Sequence, residues 1–78
     1  MTAEEIAESI LHVFAARGNL EGMPHDWIGR DLPDLEDQVV VEAEVALDQA
    51  GLVVRHDLIS YVELTPSGRR RVQEIMTP

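Results

Sequence analysis

The chain has 78 residues, 45% of them hydrophobic, with no cysteine and a formal net charge of −9 from fifteen acidic residues against six arginines and no lysine. This length implies one domain, and the apolar content is too high for a disordered chain. The lack of cysteine excludes disulfides and thiolate metal sites and fits a reducing compartment, while the acidic balance repels DNA, RNA and anionic lipid.

A chain this short buries only about 60% of the surface its unfolded form exposes, so a thin core that a partner or second subunit would supplement is expected. The opening MTAEEIAESILHVF carries its first charges at Glu4 and Glu5, where a secretory leader needs a basic region. No apolar run approaches the ~18 residues that cross a bilayer, so the expected location is the cytoplasm, without a membrane partner.

Thr2 and Glu5 have the spacing of a capping box. Ile6, Ala7, Ile10, Leu11, Val13 and Phe14 then recur on one helical stripe, predicting a first helix from Ala3 to Arg17, closed by Gly18. Asp26 is placed to cap a short second helix, Trp27 to Leu32, with Trp27, Ile28 and Leu32 inward and Pro33 as its stop. Asp34 is placed to cap a third helix, Leu35 to Ala50, closed by Gly51. At 100° per residue, Leu35, Val39, Val40, Ala43, Ala46, Leu47 and Ala50 share an arc of about 140°, the expected core face. LVVRHD and ISYVELT read as two strands of a hairpin, with His56, Asp57 and Leu58 near its turn. Thr65 at N-cap and Pro66 at the first position open a last helix, Ser67 to Met76, with Val72, Ile75 and Met76 inward. A hairpin is not stable alone and must lie on the helices, so the class is α+β.

The segments ALDQAGLV and LTPSGRRRV stand in order, at the spacing of Leu-x-x-x-Gly-Leu-Val and Leu-Thr-x-x-Gly-Arg. In this the chain resembles the winged helix-turn-helix family over about Glu4 to Met76. The resemblance implies one domain across residues 1–78: three N-terminal helices, a two-stranded antiparallel wing hairpin and a C-terminal helix. It also implies that a DNA-reading member would seat the third helix in the major groove and the wing on phosphate. Winged helices serve equally as protein docking modules and dimerisers.

The third helix departs from a DNA reader. It carries Asp34, Glu36, Asp37, Glu42, Glu44 and Asp48 and no Arg or Lys. Carboxylates facing phosphates at close range cost on the order of 1 kcal/mol per pair even in water. Val41 and Val45, four apart, project away from the expected core arc with Asp37, Glu44 and Asp48 around them, and an apolar pair ringed by charge suggests a protein contact. β-branched residues also sit singly on surfaces. Leu58 and Ile59 at the wing tip offer a second apolar contact, although folding back onto the core is the expectation for them.

Half of the arginines stand together as Arg69, Arg70 and Arg71 at the start of the last helix, the end where the helix dipole disfavours cations. Arg70 is spaced to pair with Glu74. The structural reading is that the triplet answers the surplus acids and packs its stems on apolar surface; the functional reading is a phosphate contact beside the wing.

No Gly-rich phosphate loop and no Gly-x-Ser-x-Gly elbow occur. His12, His25 and His56 fall on three elements, and His25-Asp26 alone is a poor metal signal. Acid pairs such as Glu42 with Glu44 read as solvated surface. Neither catalysis nor a cofactor, metal or small-molecule ligand is expected. Two functions stay open. One is an interaction module in transcription regulation that binds a protein or a second copy through Val41, Val45, Asp37, Glu44 and Asp48, as a homodimer in the latter case. The other is a DNA-binding regulator that gathers Arg55, Arg69, Arg70 and Arg71 on one face.

Overall fold

The computed structural model describes residues 2–77, in the order α1 (Ala3–Ala16), β1 (Gly22–Pro24), α2 (His25–Asp31), α3 (Asp37–Gln49), β2 (Val53–His56), a 3-10 turn (Asp57–Ile59), β3 (Tyr61–Leu64) and α4 (Pro66–Met76). The class is α+β, with four helices and a three-stranded antiparallel sheet.

Both ends of α1 form as the residues dictate. The Thr2 hydroxyl accepts from the Glu5 N–H and the Glu5 carboxylate accepts from the Thr2 N–H, closing the capping box. At the other end Gly18 takes φ 62°, and the Gly18 and Asn19 N–H groups return to the Ala15 and Phe14 carbonyls. That pair of bonds is the Schellman closure. The same closure ends α3, where Gly51 has φ 77° and Leu52 N–H reaches the Leu47 carbonyl.

Strand β1 was not expected. The Asn19 side chain accepts from the Glu21 and Gly22 N–H groups and donates to the Gly22 carbonyl, turning the chain out of α1. Gly22–Pro24 then pairs with β3, giving the sheet order β1-β3-β2 rather than an isolated hairpin. Because Pro24 is still extended in β1, α2 opens at His25, and Pro24, not Asp26, occupies the N-cap. Likewise α3 begins at Asp37 behind Glu36, not at Leu35 behind Asp34, because Leu35 is held in a turn by its bond to the Leu32 carbonyl.

Ile10, Leu11 and Phe14 of α1, Met23 of β1, Ile28 of α2, Val40, Ala43 and Leu47 of α3, Val53 and Val62 of the sheet, and Val72 of α4 form the core. Three expected core residues lie elsewhere. Trp27 stands at the surface with the Arg17 guanidinium 5.2 Å over its ring, Met76 is exposed at the end of α4, and Ala50 is exposed at the end of α3. The buried face of α3 is centred about 60° from the middle of the expected arc, so that it runs Val40, Ala43, Glu44 and Leu47.

Helix α4 approaches the α3–β2 junction so closely that a Cβ on Gly68 would lie 1.9 Å from the Leu52 carbonyl oxygen. Thr65 fixes that contact: its hydroxyl accepts from the Gly68 N–H and donates to the Gly51 carbonyl at 2.7 Å. The end of the sheet remote from this junction carries the charged groups.

Candidate functional site

At that end the His25 ring lies between two carboxylates. Its Nδ1 is 2.5 Å from Glu44 and its Nε2 2.5 Å from Asp37. Both carboxylates belong to α3, while the ring belongs to the first residue of α2. The Arg55 Nε lies 3.6 Å from the other Glu44 oxygen, and the Arg55 guanidinium reaches Asp57 at 3.5 Å. A chain of alternating charge, Asp37–His25–Glu44–Arg55–Asp57, therefore runs from the start of α3 to the hairpin tip.

The local structure explains how the chain assembles. Arg55 pairs with Val62 in register two residues on from Val53, so it stands on the same face of the sheet as the core residues Val53 and Leu64. Its backbone N–H is fixed by the Asp48 carboxylate at 3.1 Å. Glu44 is one helical turn from Val40 and from Leu47, and its side chain is only 2% exposed. Burying that carboxylate is tolerated because each of its oxygens faces a cation. Burial opposes protonation of His25, but hydrogen bonds to Asp37 and Glu44, with the charges of both, outweigh it and raise the ring above its ordinary value. With both carboxylates ionised, each ring nitrogen must donate, which is the imidazolium form that the raised value favours.

The lining of this site is a surface hollow of about 220 Å³ that also includes Val41, His56, Ser60, Tyr61 and Val62. Small-molecule sites usually occupy ~300–1,000 Å³, so the hollow is small for one. Both His25 nitrogens face carboxylates, so the His25 ring is not free to act as a base toward Ser60. Those carboxylates sit on opposite ring nitrogens and do not converge on one point. Among the described residues no group of three or more His, Asp or Glu side chains is arranged to hold a metal ion.

The residues singled out from the sequence are distributed differently from expectation. Glu44 is not a solvent-facing contact but the buried centre of the charge chain. Val41 and Val45 are half-buried, so the exposed apolar strip expected along α3 is absent. Asp37 and Asp48 are at the surface, each already engaged, by His25 and by the Arg55 N–H.

The exposed apolar pair is at the hairpin tip, which does not fold back: Leu58 is 102% and Ile59 70% exposed. Ser60, the next residue, holds the left-handed conformation at φ 49°, and its carbonyl accepts from the His25 N–H at 2.8 Å. The tip is thereby fixed outward.

The four arginines considered for phosphate contact do not form one set. Arg55 is turned inward to Glu44 and Asp57. Arg71 binds Glu8 of α1 at 2.5 Å, and its second carboxylate is Glu74 at 3.9 Å, the partner expected for Arg70. Arg69 and Arg70 are exposed and, among the described residues, make no ion pair within 4.0 Å. Between the ends of α1 and α2, Arg17 grips Asp31 with two hydrogen bonds at 2.7 and 2.9 Å, which hold the Asp31 carboxyl below its usual range against desolvation.

Comparison with known proteins returns no matching family model, no matching curated protein and no matching solved structure. Among the described residues no helix is long and apolar enough to cross a membrane.

Proposed function

We propose that the chain is a winged helix-turn-helix module that docks on a protein surface of cationic and apolar character. The element order, with a strand between the first two helices and the sheet order β1-β3-β2, supports the winged-helix reading. The observation that carries the docking reading is the exposure of Leu58 and Ile59 on a tip held outward by Ser60 and His25. Solvated aliphatic side chains at a fixed tip gain on the order of 1.5–3 kcal/mol each when a partner covers them.

Charge selects the kind of partner. Asp57 stands on the same tip, and α3 exposes Asp37 and Asp48 on the side toward it, with no Arg or Lys on the helix. Such a surface complements a basic protein and repels phosphate. Two copies of this chain would each bring a charge of −9, so self-association is the less favoured occupancy. DNA binding is disfavoured further because Arg55 and Arg71, two of the four arginines it needs, are committed to carboxylates of the chain itself.

The test is a titration of the protein with a labelled amphipathic peptide of leucine and arginine, beside labelled duplex DNA, at low and moderate salt. Replacing Leu58 and Ile59 together by serine changes no charge. It should weaken peptide binding at least about tenfold, with sedimentation showing a monomer throughout. Equal peptide binding by both proteins, or tight duplex binding by either, overturns the docking reading. A dimer lost in the double variant assigns the tip to a second copy and overturns the cationic partner.

A further inference from the structure

We propose that His25 is a proton-controlled clamp that fastens the hairpin tip and the start of α2 to α3. The inference concerns how the tip is held and does not depend on what the tip binds.

The geometry sets this residue apart from the other two histidines. His12 lies exposed on α1, and His56 faces outward to Glu63 at 2.8 Å. His25 alone joins three parts of the chain. Its ring spans Asp37 and Glu44 of α3, and its backbone N–H holds Ser60 at the end of the tip. Its side chain is 16% exposed, so a proton can exchange with solvent while the ring stays packed.

The surroundings of the ring decide what loss of its proton does. From α3 it meets Asp37 and Glu44, with Val41 as the apolar neighbour in the hollow. From β2 come Arg55, which shares Glu44, and His56. From the tip come Asp57 and the Ser60 carbonyl, from β3 Tyr61, and on its own helix the next residue, Asp26, is exposed. A neutral imidazole has one N–H and can donate to only one of the two carboxylates. Asp37 is then released, or Glu44 is left in the interior with only Arg55 at 3.6 Å. Either result loosens α2 and the tip from α3 while the apolar core stays in place.

The direction with pH follows. His25 is raised above its ordinary 6.5 in the folded chain. The clamp is therefore complete below that value and is lost as pH rises through the folded value.

The experiment is a proton titration by NMR that follows all three histidine rings, together with amide exchange expressed as protection relative to an unstructured chain. The expected result is a His25 midpoint above the ordinary histidine value of 6.5. Protection of the His25 amide should then fall by up to about tenfold per pH unit through that midpoint. The Leu64 amide, bonded to Glu21 at the other end of the β1–β3 pair, should hold constant. Asp37→Asn, at an exposed carboxylate, should lower the His25 midpoint and move the fall in protection to lower pH. His56→Gln should leave both unchanged. The clamp is overturned if His25 titrates at or below the ordinary value of 6.5, or if protection at His25 does not change with its ring or changes equally at Leu64.

Discussion

The two ends of the small sheet are held by different forces. At the Leu64 end, Thr65, Gly51, Leu52 and Gly68 form a junction of backbone contacts and short neutral hydrogen bonds. At the Tyr61 end, the chain Asp37–His25–Glu44–Arg55–Asp57 joins α3 to the tip by charge. The first end has no group that titrates near neutrality; the second is centred on one. The difference teaches that a domain this small can keep one end of its sheet constant over pH while leaving the other adjustable.

Substitutions at the two ends should separate them. The largest effect is expected from Gly68→Ala. The added Cβ meets the Leu52 carbonyl oxygen at 1.9 Å, and backbone cannot yield as a side chain does. The loss should be about 3 kcal/mol in a denaturant titration, equal at pH 5 and pH 8. A smaller loss at Gly68 than at Glu44 would reverse the ranking of the two ends.

Glu44→Ala comes next, at on the order of 2 kcal/mol. That is less than for a fully enclosed pair because the Arg55 and His25 side chains keep 24% and 16% exposure. Its signature is the pH profile. The wild type should be more stable below the ordinary histidine range than above the raised His25 value, and the variant should lose most of that slope. A slope unchanged in the variant would mean that the histidine does not act through this carboxylate. The smallest effect is expected from Thr65→Ala, which removes the α4 cap and the bond to Gly51 for about 1 kcal/mol. Thermal melts at two pH values should show the same decrement at both.

Much of the fold was legible because local chemistry specified it. The capping box at Thr2, the glycine closures at Gly18 and Gly51, and Thr65-Pro66 at the head of α4 each act within a few residues and form as expected. Strand β1 was not legible: three residues, Gly22–Pro24, form a strand only because β3 is there to pair with them and Asn19 turns the chain. Apolar expectations failed on packing at Trp27 and at the hairpin tip, as well as at the ends of α3 and α4. Trp27 lies at the surface beneath the Arg17 guanidinium, and Leu58 and Ile59 project outward because Ser60 and His25 fix the turn.

The charged site was half visible. Glu44 stands one turn from both Val40 and Leu47, inside the apolar stripe, which was a signal of burial. Among so many acids it read as surface. Its partners could not be found by spacing, since His25 is 19 residues from Glu44 and Arg55 approaches from a different strand.

Trp27 is the sole tryptophan of the chain, half open to water, two residues beyond His25 on the same short helix and beneath the Arg17 guanidinium. Any rearrangement of α2 shifts the indole relative to that cation and to solvent. The protein thus contains its own fluorophore at the base of the movable end, and its emission follows the opening of that end without an added label.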